Sequence, residues 1–103
     1  MSDTENSRHS GSDQLSFAIA DLAARLSVDA STIEVLRVEE VTWGDGSIGC
    51  PRTGMNYTQA LVDGTRILLQ VEFVTHSYHS VEGGEPFYCP ANRVIPPIAD
   101  PRL

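Results

Sequence analysis

The run Asp13-Gln14-Leu15-Ser16-Phe17-Ala18-Ile19-Ala20-Asp21-Leu22-Ala23-Ala24-Arg25-Leu26 decides the fold. Leu15, Ala18, Ile19, Leu22, Ala23 and Leu26 recur at helical spacing and draw one apolar stripe. Asp13 or Ser12 can act as the N-cap, and the alanines, Leu22 and Arg25 favour helix by propensity. The spacing predicts a helix over 13–26. A stripe on one face needs a partner surface. No second long helical pattern exists in the chain, so that partner must be a sheet.

Before the helix, residues 1–12 are polar and aperiodic and read as disordered. After it, Ser27–Thr32 is a connector in which Asp29 can cap a single helical turn. Ile33–Trp43 reads as the first strand. Ile33, Val35, Val41 and Trp43 share one parity, whereas Leu36 and Val38 do not. That break implies a bulge near Arg37–Glu40, or a strand covered partly on both faces. Asn56–Val62 reads as a second strand, with Tyr57, Gln59 and Leu61 on one face. Asp63-Gly64 is a two-residue hairpin signal between apolar runs. Thr65–Val74 then forms a third strand, Thr75–Val81 a fourth and Phe87–Cys89 a short last one. Prolines at 90, 96, 97 and 101 exclude regular structure, so the tail lies against the body or is disordered.

The expected fold is α+β: one N-terminal helix packed on a four- to five-stranded antiparallel meander sheet. The expected organisation is a disordered head at 1–12, a single domain at 13–90 and a proline-rich tail at 91–103.

Charge narrows the function classes. The 103 residues carry a net charge of −7, with seven arginines and no lysine. Phosphate binding needs clustered basic residues, so nucleic acid and anionic membrane surfaces are poor partners. No run approaches the ~20 apolar residues of a membrane span. No apolar leader is visible in the sequence as written, which places the chain by expectation in the cytoplasm.

Chemistry concentrates in Trp43-Gly44-Asp45-Gly46-Ser47-Ile48-Gly49-Cys50-Pro51-Arg52-Thr53-Gly54. Trp43, Asp45, Ser47, Ile48, Arg52 and Tyr57 are the candidate binding-loop residues. Asp45 and Ser47 suit local turn hydrogen bonds, and the loop lacks both the P-loop lysine and the oxygens of a calcium site. Cys50 and Cys89 have three readings: a disulfide, two buried thiols, or a chemical pair with His76 or His79. A bridge closes a loop of about 40 residues, worth roughly 4 kcal/mol in the ideal case. A zinc site fits poorly. His76-x-x-His79 on a strand points to opposite faces, and no C-x-x-C knuckle exists. A cysteine nucleophile lacks any enzyme signature and a substrate cleft. Both histidines read most simply as half-exposed strand residues. No metal or cofactor is expected.

Trp43, Asp45, Ser47, Gly49-Cys50-Pro51, Gly54-Met55, Tyr57 and Gln59, followed by Gly64 and Arg66-Ile67, resemble a small bacterial domain of uncharacterised function. Its pattern is W-x-D-x-S-x-G-C-P-x-x-G-M-x-Y-x-Q, ending in an aromatic-Cys strand like Phe87-Tyr88-Cys89. The resemblance covers about residues 21–90. Similar domains often sit in exported or lipoprotein-like chains, which implies an oxidising setting that the missing leader does not match.

The expected function is that of a non-enzymatic binding module presenting the 44–54 loop, with Ile48 and Arg52 projecting. A protease-inhibitor-like use of Cys50-Pro51-Arg52 is one version. The alternatives are a structural accessory domain, or a small Cys/His enzyme or zinc protein. The expected partner is another protein, and a monomer is expected rather than a dimer.

Overall fold

The computed structural model describes residues 11–98. Helix α1 spans Gly11–Leu26, with Asp13 in its first turn and Arg25 in its last, both complementing the helix dipole. It starts two residues before the predicted helix, so Gly11 and Ser12 are helical rather than disordered. The rest of the predicted head (1–10) and the end of the tail (99–103) lie outside the described residues. A 3₁₀ turn at Ala30–Thr32 follows, and the Asp29 carboxylate accepts from Ser31 N at 2.8 Å, as a cap should.

Four strands follow: β1 Glu34–Trp43, β2 Val62–Val71, β3 Val74–Val81 and β4 Phe87–Cys89. They form one antiparallel sheet in the order β1-β2-β3-β4, the expected meander. The β1–β2 register slips between Val35 and Arg37. The bulge therefore sits at Leu36, just ahead of the predicted position, and it accounts for the broken parity. β1 is the edge strand, with Val35, Leu36 and Val38 exposed and no described strand on its outer side.

The sheet is covered on both faces. On one, Ala18 and Leu22 of α1 pack against Ile67, Leu69, Val71 and Tyr78. Each of the larger side chains contributes about 1.5–3 kcal/mol by leaving water. A polar clasp closes the rim of this core. The Tyr78 hydroxyl donates to Asp21 at 2.6 Å, Arg25 donates to Asp21 at 3.2 Å, and the Arg25 guanidinium lies 4.5 Å above the Tyr88 ring. The opposite face carries Trp43, His79 and Cys89, which share a side by register. The long β1–β2 loop and the C-terminal segment cover it.

Two sequence expectations fail. Asn56–Val62 is not a strand, because only Val62 enters the sheet. Tyr57, Gln59 and Leu61 alternate, yet Gln59 and Leu61 face solvent and have no face to bury. The segment bonds to itself instead, Gln59 Nε2 donating to the Tyr57 carbonyl at 3.2 Å. The sheet accordingly has four strands.

Asp63-Gly64 is not a hairpin either; both residues lie inside β2. A Cβ at Gly64 would collide with the Ser80 carbonyl and the Trp43 indole. The glycine marks a close backbone approach within a strand rather than a turn. The true hairpin turn is Glu72-Phe73, between Val71 and Val74. Both residues are left-handed, at φ 49° and 71°, the backbone of the favoured two-residue hairpin built without glycine or asparagine.

Candidate functional site

The β1–β2 connection has two halves of different character. Residues 43–51 are packed onto the sheet; residues 52–61 stand largely in solvent. Trp43 anchors the first half. It is fully buried, its indole N–H donates to the Ser80 carbonyl at 3.0 Å, and its ring stacks on His79 at 4.4 Å between centroids. Gly49 sits at φ 72° against that ring, where a Cβ would run into it. Glycine is needed at this position for both backbone and space.

Asp45 and Ser47 shape the turn. The Asp45 carboxylate accepts from Ser47 N at 2.9 Å and from the Ser47 hydroxyl at 2.6 Å. These bonds hold the Asp45 carboxyl below its usual range. Gly46 N donates to the Thr58 carbonyl at 2.8 Å and ties the two halves together.

His79 is the residue that the sequence reading misplaces. It is not half-exposed but fully buried beneath the loop. Its Nδ1 lies 2.7 Å from the Ile48 carbonyl and its Nε2 2.6 Å from the Ser77 hydroxyl. A carbonyl only accepts, so Nδ1 carries a proton; burial holds the ring's pKa down, so Nε2 carries none at neutral pH and accepts from the Ser77 hydroxyl. The ring is thus neutral and both nitrogens are used. The signal for this role is its parity with Ser77 and Cys89, which becomes readable only with the β3–β4 register in hand.

Cys50 and Cys89 are bridged, with sulfurs 2.11 Å and Cα atoms 5.9 Å apart. Neither sulfur is then a thiolate, so the nucleophile and zinc-thiolate readings lose their ligands. Among the described residues no group of three or more His, Cys, Asp or Glu side chains is placed to hold a metal ion. His76 lies on the other face from His79, half-buried, with its Nδ1 3.3 Å from the Tyr88 hydroxyl. The tail adds two more ties: Ile95 N donates to the Gly49 carbonyl and Ile98 N to the Thr42 carbonyl, each at 2.9 Å. The segment after Pro90 therefore lies against the body as far as Ile98.

On this fixed base stands the second half. Arg52, Thr53, Gly54 and Met55 are exposed. Their turn is closed by Met55 N donating to the Arg52 carbonyl at 3.2 Å, with Gly54 at φ 83°. The Tyr57 hydroxyl accepts from Arg52 N at 3.1 Å. Of the six predicted loop residues, Trp43 and Ser47 are buried, Asp45 and Ile48 are half-covered, and Tyr57 props the turn. Arg52 alone is fully presented. Met55, absent from the predicted set, stands beside it at 58% exposure.

Burial lowers the His79 pKa; the bond to Ile48 pulls it back, and the Arg66 charge lowers it further. The unfolded chain therefore takes the proton more readily than the folded one. The resulting stability is complete above the ordinary histidine pKa of 6.5 and is lost as the pH falls through that range. Between about pH 7 and about pH 5 the unfolding free energy measured in urea should drop, by at most about 1.4 kcal/mol per pH unit for this group. Burial also lowers the His76 pKa, so it adds a slope of the same sign. The checking measurement is the pH slope in His79→Gln and His76→Gln variants. The slope should flatten in each variant.

The chain belongs to DUF8738, a domain-of-unknown-function family, whose family model matches residues 15–89. The match takes in both cysteines, the whole loop and all four strands. Neither a curated protein nor a solved structure matches the chain. No helix among the described residues is long and apolar enough to cross a membrane.

Proposed function

We propose that this domain is a non-enzymatic binding module that presents the Arg52–Tyr57 turn to a protein partner. The observation that carries this reading is the contrast within one loop. Residues 43–51 are fixed by a disulfide, a buried histidine and a buried tryptophan, while Arg52 and Met55 project from them. A turn ordered in advance loses less conformational freedom on binding. A cation beside an apolar side chain suits a partner surface that offers an acidic group next to an apolar pocket.

The turn is less suited to substrate-like protease inhibition. The Arg52 carbonyl already accepts from Met55 N, and a substrate-like inhibitor leaves that oxygen free for the oxyanion hole.

The test is photo-cross-linking from position 55 of the full chain in an extract of its own cells, with position 17 on the helix as the control. The expected result is a discrete adduct from position 55 that disappears with Arg52→Glu. Equal adducts from both positions, or none from position 55, would leave the accessory-domain reading, in which loop substitutions cost stability alone.

A further inference from the structure

Two bonds fix which backbone groups of β1 face outward. The Asp63 carbonyl accepts from Glu82 N at 2.9 Å, so Asp63 turns its backbone groups toward β3 and away from β1. Thr42, its partner in the β1–β2 register, therefore turns its own N–H and C=O outward. The second bond agrees: the Thr42 carbonyl accepts from Ile98 N on that outer side. Alternation along the strand turns the N–H and C=O of Glu40 and Val38 outward as well, up to the bulge at Leu36. No described strand lies there, and among the described residues no backbone bond beyond the sheet ladder reaches these four groups.

The side chains alternate too. Val38 pairs with Ile67, so it shares the helix side of the sheet, yet it stays exposed. Arg37 and Glu39 share the other side, where Arg37 lies 3.6 Å from Glu39 of its own strand and Arg66 also binds Glu39.

Charged side chains on an edge strand ordinarily deter pairing. Here their order selects one register. In a two-fold antiparallel pair of β1 strands, one residue faces its own copy, and the residues on either side of it face each other. A two-fold centred on Arg37, Glu39 or Glu40 sets like charges opposite. One centred on Leu36 falls in the bulge, and one centred on Val41 needs the outer side of Thr42, which Ile98 holds. A centre at Val38 has none of these faults. It sets Arg37 opposite Glu39 of the second copy twice over, joins Val38 to Val38 through outward N–H and C=O groups, and covers an exposed apolar side chain.

We infer that β1 pairs with β1 of a second copy, antiparallel and centred on Val38, and so joins two four-stranded sheets into one of eight strands. The monomer expected from the sequence gives way to a weak dimer. Each chain carries a net charge of −7 and the pairing is one short strand long, so the dissociation constant is expected at roughly 10–100 µM. The surface shares no residue with the Arg52–Tyr57 turn.

The test is sedimentation of the oxidised full chain from about 1 µM to about 1 mM, with amide spectra of isotope-labelled protein over the same range. The mass should rise from one chain toward two, and the concentration-dependent shifts should centre on Arg37–Glu40. Arg37→Glu sets glutamates opposite each other and should weaken association about tenfold or more. Glu39→Arg should do the same with the opposite sign. An equal mixture of these two variants should associate again, because each then meets its complement. A merely structural role for the two side chains gives no such rescue. Glu39→Arg also loses the pair with Arg66, so Val38→Pro is the second variant should it fail to fold. It removes an outward N–H, leaves the bonds to β2 in place and should stay a single chain. Arg52→Ala should associate as the wild type does.

Three results overturn the inference: a mass of one chain across the whole range, association that survives both Arg37→Glu and Val38→Pro, or shifts that fall on β4 or on Arg52–Tyr57. The first, joined to slow exchange at Val38 and Glu40, would assign the outer side of β1 to the chain's own ends. Failure here leaves the Arg52–Tyr57 reading untouched, because that reading is tested from position 55.

Discussion

Replacing Cys50 and Cys89 by alanine, or reducing the bridge, should lower stability by about 4 kcal/mol. The loop closed by the bridge spans 39 positions, and opening it returns that freedom to the unfolded chain. Domains of this size hold only about 5–15 kcal/mol in total, so the loss is a large share. It corresponds to a melting midpoint roughly 15–30 °C lower. Each single replacement should cost nearly as much as the pair, because either one removes the whole bond. A melting series of the two single variants, the double variant and the reduced wild type measures this. Additive single effects would mean that the sulfurs act through packing alone.

The second large effect is at Trp43. Trp43→Ala should cost about 3–5 kcal/mol, the range for emptying an aromatic site in a core. Four partners lose their contact together: the His79 ring, the Ser80 carbonyl, Gly49 and Gly64. Trp43→Phe keeps a ring but leaves the Ser80 carbonyl without its donor, so it should cost about 1–3 kcal/mol, a smaller loss. Urea unfolding followed by circular dichroism, which does not depend on the indole itself, gives both values. A loss under ~1 kcal/mol for Trp43→Ala would mean that the loop is not fastened through this ring.

The helix, the meander and the short Phe87–Cys89 strand were legible because they follow from period and composition. The stripe from Leu15 to Leu26 has one solution, and α1 buries that face. The Asp29 cap was legible for the same local reason. Asp63-Gly64 misled because a glycine next to an aspartate has two physical meanings. Here it makes room for Trp43 from across the sheet, and no local pattern carries that information. The true turn, Glu72-Phe73, has a backbone that usually selects glycine or asparagine, so its residues concealed it.

The candidate site was half legible. The glycine-rich loop and the cysteine pair stood out by composition. Which side chains project did not, because Trp43 and Ser47 are drawn inward by contacts more than thirty residues away or by their own turn. His79 was lost for the same reason: its partners Ile48 and Trp43 are distant in sequence.

The measurement that bears most directly on a pinned base with a displayed turn is native-state amide hydrogen exchange of the oxidised chain, residue by residue. Cys50 donates to Ser47 within the base, Ile95 to Gly49 of the base and Gly46 to Thr58, and all three should exchange slowly, whereas Thr53, Gly54 and Asn56 should exchange fast. Reduction of the bridge should speed Cys50 and Ile95 and leave the β2 and β3 amides slow. Uniformly fast exchange from residue 44 to 61 in the oxidised protein would contradict the account, because a loop free along its whole length presents no fixed turn.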